Sequence, residues 1–531
     1  MRHAALTTLV LAALLAPWHA LAGEGRDLTR REAASVFDRV FHGRTQAALA
    51  YLDSLKAECE GYPLYHIMRG RCLQEFIPLD DANTSNAKRA AVPALTEFDR
   101  TIAACTARID SGGAHSTHYL YRGWAWMAKS YIRSMSRSFW TAGREAGRGK
   151  KDLKIYLGSY PDDTTANGIL GSFLYFADTI PTAFKFLSKL LRLPSGDRVE
   201  GLERLQYAAL HGGPLDTDYK LILYNVYFYF EGRYEDGLAG LLEAVERYPE
   251  YARSSMPLSA AQPFVPRLAA ELDAQIESTL GSMARLPAGA VDRNGLALVK
   301  AFRAYGARYC NPDASAAMFQ AIIMEAPQHP DWMRGFARYE LGGLYAATGR
   351  RSEARALFES VVTEDAYRYH RDHARRMLAD LDEFADSLPS AVQPDDEWIR
   401  AVYRTGDDSL AVLAARFEAL AATSLPASFY AAECRLLAGD HDNALDVYRG
   451  IIDTDAPAWE ETYQMLAAQR VAEIYAAREK YKTAAEYIGR AQDFYHKEYL
   501  VDWILSGRKR YFERLADGKE TVTPNLLSVN P

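Results

Sequence analysis

The residues best able to do chemistry form a basic stretch interleaved with aromatic rings. Between Arg122 and Lys154 there are nine lysines or arginines and two acids, a local charge of 9 − 2 = +7 in a chain whose net charge is −7. Cations beside aromatic rings suit anionic polymers, acidic glycans and lipid headgroups. The stretch therefore predicts an anion-binding surface. The same run of charge is also typical of a solvated helix face whose rings are buried in the next helical pair.

The predicted surface is a stripe of five cations: Lys129, Arg133, Arg137, Arg144 and Arg148. The first three are four residues apart, so they share one face of a helix predicted from Ser116 to Trp140. The last two extend the stripe only if the helix persists through nearby glycines, which weaken it. The rings that interleave are Trp124, Trp126, Tyr131, Phe139 and Trp140.

Known catalytic and metal-binding patterns are missing from the sequence. It has no HExxH motif, no Gly-x-Ser-x-Gly motif and no GxGxxG motif after a predicted strand. Two histidine pairs, His370 with His373 and His115 with His118, have the spacing of ligands on one helix face, but a metal site needs a third donor that the sequence does not supply. We therefore predict no catalytic residue, no cofactor and no metal.

A repeated spacing indicates which elements position these residues. A small residue is followed twelve positions later by another and four further on by a bulky one. Small residues let two short helices pack closely as a hairpin, and the bulky residue fills the gap to the next hairpin. The predicted fold is therefore all-α, an α-solenoid of stacked antiparallel helical hairpins. The four occurrences are Asn225/Gly237/Leu241, Gly342/Ala354/Phe358, Ala432/Ala444/Tyr448 and Ala472/Ala484/Ile488.

At these residues the chain resembles the tetratricopeptide repeat (TPR) family. The clearest unit reads Leu341-Gly342-x-x-Tyr345, with a turn at Gly349 and then Ala354-x-x-x-Phe358. The closing proline of the family is absent there, because Ala366 occupies its place. The resemblance implies a TPR-like scaffold whose function is to bind a partner.

The N-terminus has the features of a signal peptide. Arg2 and His3 precede an apolar run from Leu6 to Leu15, and Ala20-Leu21-Ala22 is a small-x-small cleavage pattern. The run is too short to span a bilayer as a mature helix. We therefore expect an exported repeat protein of bacterial type, periplasmic or secreted, with no transmembrane segment in the mature chain.

A cluster of prolines between Pro257 and Pro287 suggests a boundary between two helical regions. A charged amphipathic segment, Val501 to Leu515, is suited to cap the open end of the stack. The predicted organisation is a signal peptide at 1–22, an N-terminal helical-repeat region at 23–253, a Pro-rich connecting region at 254–290, a C-terminal TPR-like region with its capping helix at 291–516 and a flexible tail at 517–531.

The chain has five cysteines, an odd number, and no CxxC pair, so neither a disulfide framework nor a zinc site is indicated. Cys59 and Cys105 lie near the ends of predicted helices that share an edge. We therefore predict that a disulfide, if one forms, joins Cys59 to Cys105. Cys310 and Cys434 are predicted to be buried free thiols.

Composition and charge narrow the function classes. Apolar residues make up 49% of the 531 residues and charged residues 25%, as in an ordinary globular protein. The acidic net charge argues against a general nucleic-acid binder, which needs a basic face to displace counterions.

The preferred interpretation is an exported, non-catalytic scaffold that binds a protein or an anionic polymer in the cell envelope. The alternative is a substrate-binding or enzyme-accessory module that holds a glycan or small ligand in its groove. The oligomeric state stays open.

One structural feature separates these interpretations from an enzyme. An enzyme should bring three or more titratable side chains together in one pocket. A scaffold should show an open concave face with scattered tyrosines and arginines.

Overall fold

The structure is a computed structural model that describes residues 26–77, 85–113, 115–136, 138–178, 195–212, 215–251, 258, 269–286, 293–308, 311–325, 331–364, 368–384, 396–403, 407–494 and 499–519. Over these ranges the chain forms 24 α-helices and a π-helical segment, with no strand. The predicted all-α fold of stacked helical hairpins is confirmed. The predicted signal peptide, Arg137 and Cys310 lie outside the described residues.

The chain divides into two compact units, residues 1–219 and 220–531. The first unit contains helices α1 (Arg30–Phe41), α2 (Thr45–Ser54), α3 (Lys56–Cys59), α4 (Pro63–Gln74), α5 (Ser85–Asp110), α6 (Ser116–Met135), α7 (Phe139–Ser159), α8 (Thr164–Asp178) and α9 (Arg198–Leu210). Helix α10 (Asp216–Asn225) carries the boundary between the units. Neighbouring helices pack pairwise, most extensively α6 with α7 and α8 with α9.

The second unit continues with a π-helical segment, Val226–Glu231, and fourteen described helices. These are α11 (Tyr234–Arg247), α12 (Ala269–Ala284), α13 (Arg293–Ala307), α14 (Pro312–Met324), α15 (Asp331–Ala347), α16 (Arg351–Glu364), α17 (Arg368–Glu383), α18 (Asp396–Val402), α19 (Asp407–Ala421), α20 (Leu425–Leu437), α21 (His441–Asp453), α22 (Glu461–Ala477), α23 (Tyr481–Phe494) and α24 (Tyr499–Ala516).

The repeat spacing predicted the hairpin of α15 and α16 correctly. Gly342 lies directly against the ring of Phe358, because a Cβ added at Gly342 would come within 2.6 Å of that ring. The turn between the helices needs a left-handed residue, and Gly349 supplies it with φ of 75°. Gly439 does the same between α20 and α21, with φ of 82°. The small residues therefore serve close approach and turn formation, as the sequence indicated.

The division between the units differs from the boundary that the prolines suggested. It falls after Tyr219, whereas the predicted connecting region spans 254–290. Within that region α12 packs against both α11 and α13, so it belongs to the stack of the second unit. Proline clusters mark loops between hairpins as readily as they mark domain boundaries.

Helix α22 is buried on all of its faces. Every residue from Tyr463 to Ala476 is buried, including the charged side chains of Arg470 and Glu473. A helix buried on all sides has neighbours on every face. Other parts of the second unit therefore cover every face of α22. The open concave face expected of a scaffold is not present along this helix.

None of the helices in the described ranges combines the length and the apolarity that a membrane span requires.

Candidate functional site

The predicted anion-binding stretch forms an antiparallel hairpin instead of one long helix. Helix α6 ends at Met135 and α7 begins at Phe139. The hydroxyl of Ser130 donates a hydrogen bond to the carbonyl oxygen of Ala142 at 2.9 Å, which fixes the two helices side by side near the turn. The predicted end of the first helix at Trp140 is therefore wrong.

Glycines allow the two helices of the hairpin to approach closely. A Cβ added at Gly149 would lie 2.9 Å from the carbonyl oxygen of Gly123, and one at Gly123 would lie 2.9 Å from Cγ of Leu153. The glycines of α7 were expected to weaken this helix. They instead lie inside it. The close contact of Gly149 with α6 offsets the low helix propensity of this residue.

Both acids of α7 point inward and pair with cations of α6. Arg122 donates two hydrogen bonds to the carboxylate of Asp152, at 2.7 and 2.8 Å. Lys129 lies 3.5 Å from Glu145 and 2.5 Å from Asp99 of α5. Asp152 and Glu145 are 3% and 7% exposed. Both negative charges of the hairpin therefore lie in its interior, whereas the exposed Asp99 belongs to α5.

The cations of α7 point outward. Arg144, Arg148, Lys151 and Lys154 are all exposed, and we call these four residues the basic face. The guanidinium of Arg148 lies 4.8 Å from the ring centroid of Trp126, which supports its outward position through a cation–π contact. No acid of α7 is exposed alongside them. The exposed charges of α7 are thus all positive, and the carboxylates outside the hairpin that act on Lys150 are those of Asp197 and Glu200 at the start of α9.

A neighbouring lysine also experiences this positive charge. Lys150 is half-buried and donates a hydrogen bond to the carbonyl oxygen of Ser195 at 2.9 Å. Burial lowers the pKa of Lys150 from its ordinary value, and the nearby charge of Lys154 lowers it further. Cations on this helix are therefore close enough to repel one another.

Three aromatic side chains surround the turn of the hairpin. Phe139 is 62% exposed, Tyr131 is 48% exposed and Trp140 is 46% exposed. We call these three residues the aromatic tip. Tyr131 is in the last two turns of α6 and the other two begin α7, so all three lie at the same end of the hairpin.

The structure separates the five cations of the predicted stripe. Arg144 and Arg148 are exposed and belong to the basic face. Lys129 is 6% exposed and paired with acids, so placing it on an outward stripe was wrong. Arg133 is half-buried, and its Nε is buried without a hydrogen-bond partner in the described part of the chain. Arg137 lies outside the described residues.

Two cations of the basic face, Lys151 and Lys154, were counted in the local charge but not placed in the stripe. Their exposure follows from the positions of Glu145 and Asp152, which are seven residues apart and therefore on the same face of α7. That face also carries the buried residues Ala142, Ala146, Gly149, Leu153 and Tyr156. This apolar periodicity was the signal in the sequence that could have assigned the two faces.

The predicted disulfide is not formed in the structure. Cys59 and Cys105 are both free and buried. The charges of Arg122 and Asp152 act on the Cys105 thiol, those of Arg26 and Glu32 act on the Cys59 thiol, and the charge of Asp27 acts on both. Burial raises the pKa of the Cys105 thiol to about 12, which makes it a poor nucleophile. Cys434 is a buried free thiol, as predicted.

The histidine pairs have structural roles. His115 caps α6, and its backbone N–H donates a hydrogen bond to Nδ1 of His118 at 3.0 Å. His370 is buried, with its ring 6.4 Å from that of Phe336. Over the described ranges, no three potential metal ligands of the His, Cys, Asp or Glu type come together.

Titratable side chains do converge inside the second unit. Arg470 lies 2.9 Å from Glu433 and 2.9 Å from Glu473, and all three side chains are at most 3% exposed. The hydroxyl groups of Tyr448 and Tyr403 donate to Glu433 at 2.5 and 3.1 Å. A substrate could not reach these groups without opening the core. The cluster is therefore a buried polar network that holds α20, α21 and α22 together.

An open cleft of about 550 Å³ lies on the first unit. Its lining includes Arg30, His115, Asp162 and the rings of Tyr156 and Tyr160. These two rings stack at 5.0 Å between centroids, and Tyr160 is 44% exposed. Exposed rings beside carboxylate and cationic groups can stack on and hydrogen-bond to a polar ligand.

The stacked hairpins define a helical-repeat protein, a class whose members use stacked helices mainly as binding surfaces. Residues 426–455, which cover α20 and α21, match the family model of the tetratricopeptide repeat. This part of the chain carries a tetratricopeptide repeat, as the spacing of Ala432, Ala444 and Tyr448 predicted.

Solved structures with a similar course of the chain include a human IFIT1 dimer with PPP-AAAA, which is 12% identical with a TM-score of 0.32. That match covers 89% of this chain and 96% of the other. Yeast Tom70 is 12% identical with a TM-score of 0.24, over 94% of this chain and 97% of the other. Such low values say nothing about what this chain binds. A search of curated protein sequences finds no match.

Proposed function

We propose that the protein is an exported, non-catalytic TPR scaffold of the cell envelope that binds an anionic partner through the basic face of α7. Its repeats and stacked hairpins support the scaffold role, since helical repeats serve mainly as binding surfaces. The export signal in the sequence supports the envelope setting.

The observation that carries the anionic partner is the segregation of charge on α7. Glu145 and Asp152 are buried in ion pairs, whereas the four cations of the basic face are exposed. Over the described ranges none of these four cations forms an ion pair. A solvated helix usually mixes both signs on its exposed face. A face of one sign attracts the opposite charge and accelerates its association.

The anionic partner is tested by retention on immobilised heparin, a soluble polyanion. We expect the chain from Gly23 onward to be retained at low salt and released as salt shortens the screening length to about 3 Å near 1 M. R144Q/R148Q should elute at clearly lower salt. The matched control R89Q/R108Q removes two exposed arginines of α5 and should elute nearer the parent. Equal elution of parent and R144Q/R148Q would refute the proposed binding face.

The non-catalytic role is supported by the state of the candidate reactive groups. The Glu433–Arg470–Glu473 network is closed to solvent, and burial raises the pKa of the Cys72 and Cys434 thiols to about 12. Such thiols are protonated at neutral pH and do not act as nucleophiles.

Export is tested by determining the N-terminus of the protein recovered from an envelope fraction. The small-x-small pattern at Ala20-Leu21-Ala22 predicts a mature chain that starts at Gly23. Recovery of the protein only from the cytoplasm with an intact leader would contradict the exported scaffold.

A second candidate function is suggested by the cleft that contains Tyr160. Its exposed ring and the nearby Asp162 favour a glycan or another polar small ligand, as in an enzyme-accessory module. The variant Y160A should then abolish glycan binding and leave retention on heparin unchanged. The opposite pattern, in which only basic-face variants alter binding, supports the scaffold alone.

A further inference from the structure

We propose that the anionic partner is a lipid bilayer, on which the α6–α7 hairpin docks with its aromatic tip in the interfacial region and its basic face on the headgroup phosphates. This inference rests on the proposed anion binding of α7 and names the chemistry of the partner.

The rings of the aromatic tip are exposed to solvent. Phe139, Trp140 and Tyr131 expose between 46% and 62% of their surface around one turn. Rings exposed to this extent contribute little to the core. Aromatic side chains are favoured at the boundary between water and lipid, where the ring enters the headgroup region and the polar group of Trp or Tyr stays hydrated.

One ring of the aromatic tip and three cations of the basic face lie on one line. Trp140, Arg144 and Arg148 are four residues apart on the exposed side of α7, and Lys151 continues the row. The helix rises about 1.5 Å per residue, so the row is roughly 17 Å long. A flat anionic surface can therefore contact the rings and the cations together.

The positions of the rings favour a bilayer over a single-stranded nucleic acid. Stacking of successive bases requires rings distributed along the path of the phosphates. Here the three rings of the aromatic tip lie at one end of the row. The next exposed ring, Tyr160, lies beyond the last residue of α7 and stacks on Tyr156 instead of continuing the row. Trp126, which lies beside the cations, is only half-exposed and is contacted by Arg148. Ile155, at the other end of α7, is 43% exposed and offers an aliphatic contact that suits lipid.

The packing of α7 determines the type of membrane contact. The apolar face of α7 is occupied by packing against α6, so the helix cannot insert as an isolated amphipathic helix would. Attachment must come from a few inserted rings and from headgroup electrostatics. Such attachment is reversible and sensitive to salt and to the fraction of anionic lipid.

The experiment measures co-sedimentation of the chain from Gly23 onward with two kinds of vesicle. One contains phosphatidylcholine with phosphatidylglycerol, and the other contains phosphatidylcholine alone. We expect binding to the anionic vesicles and little to the neutral ones. R144Q/R148Q should lower the partition coefficient onto anionic vesicles about 30-fold, since each surface cation raises this coefficient about fivefold.

The aromatic tip is tested by F139S/W140S. This variant should lose about tenfold or more in binding to anionic vesicles, because it loses apolar area that the bilayer would bury. It should keep the retention of the parent on heparin. The matched control V199S/L210S removes two other exposed apolar side chains of the first unit and should bind vesicles as the parent does. Tryptophan emission should shift to shorter wavelength with vesicles in the parent and not in F139S/W140S.

The possible results distinguish the two proposals. If the parent is retained on heparin through Arg144 and Arg148 but does not bind anionic vesicles, the bilayer inference fails and the proposed function stands. Equal vesicle binding by F139S/W140S and the parent also overturns the bilayer inference. If neither heparin nor vesicle binding depends on the two arginines, the proposed function fails as well.

Discussion

Arg514 donates a hydrogen bond to Glu231 at 2.7 Å, although 283 residues separate them in sequence. Glu231 is 1% exposed and ends the π-helical segment at the start of the second unit, whereas Arg514 lies in its last helix, α24. Arg508 reinforces this contact by donating to the carbonyl oxygen of Gly232 at 2.5 Å. The first and last described elements of the second unit therefore pack against each other.

This packing predicts that α24 cannot accept a side chain at Gly507. A Cβ there would overlap the carbonyl oxygen of Tyr229 and lie 3.0 Å from the carbonyl carbon of Phe230. Backbone atoms cannot move aside as side chains do. Gly507→Ala should therefore destabilise the protein by about 1–3 kcal/mol, although alanine favours helix more than glycine. The measurement is the urea midpoint of unfolding.

Gly450→Ala is the matched control for that substitution. Gly450 lies in α21 with no atom within 4 Å of an added Cβ. The free energy of unfolding should rise by about 0.5–1 kcal/mol, because alanine has less backbone entropy to lose. Equal effects of the two substitutions would show that α24 does not pack closely on Val226–Glu231.

A second prediction follows from the burial of Lys129. Lys129→Met leaves the carboxylate of Glu145 buried without its cation, which should cost about 3 kcal/mol of stability. Arg144→Met changes an exposed residue of the same hairpin and should stay within about 0.5 kcal/mol. Thermal unfolding of the two variants checks the assignment. Equal melting temperatures would mean that Lys129 is exposed, as the stripe predicted from the sequence requires.

The sequence was sufficient where the structure depends on local spacing. Gly342, Ala354 and Phe358 gave the correct hairpin because close helix contact requires small residues at fixed intervals. The end of α6 was missed because Ser136-Arg137-Ser138 contains neither glycine nor proline. Because this turn was not predicted, cations of two antiparallel helices were assigned to one stripe.

Contacts between distant residues could not be predicted from the sequence. Glu433 and Arg470 are 37 residues apart, and their pairing depends on how α20 and α22 stack. The contact of α24 with Val226–Glu231 likewise depends on the summed rotation of all the intervening hairpins, to which each repeat adds a small amount. A single sequence shows the repeats but does not give these rotations.

A third prediction concerns the buried network around Arg470. Arg470→Met leaves Glu433 and Glu473 buried without their shared cation, so it should cost about 3–5 kcal/mol. Adding Glu433→Gln and Glu473→Gln should recover part of this loss, because both uncompensated charges are then removed.

Arg478→Met is the control. Its ion pair with Asp442 is exposed, and its loss should cost no more than about 1 kcal/mol. Urea unfolding of the four proteins would contradict this view if the triple variant were the least stable.

The last prediction concerns pH. Burial raises the pKa of Glu460 from its ordinary 4.5 to about 7, and this residue is 5% exposed at the start of α22. Between these values the folded protein holds a proton on Glu460 that the unfolded chain has released. The contribution of Glu460 to stability is therefore present below about pH 4.5 and is lost as the pH rises towards 7, by about 3 kcal/mol in total.

Glu460→Gln removes this titration, so the variant should be more stable than the parent at pH 8 and nearly equal to it at pH 4. The matched control Glu486→Gln changes an exposed glutamate of α23 and should keep the pH dependence of the parent. Urea unfolding at a series of pH values measures both variants. A stability difference between Glu460→Gln and the parent that does not change from pH 4 to pH 8 would mean that Glu460 is ionised in the folded protein, with solvent or a cation reaching the start of α22.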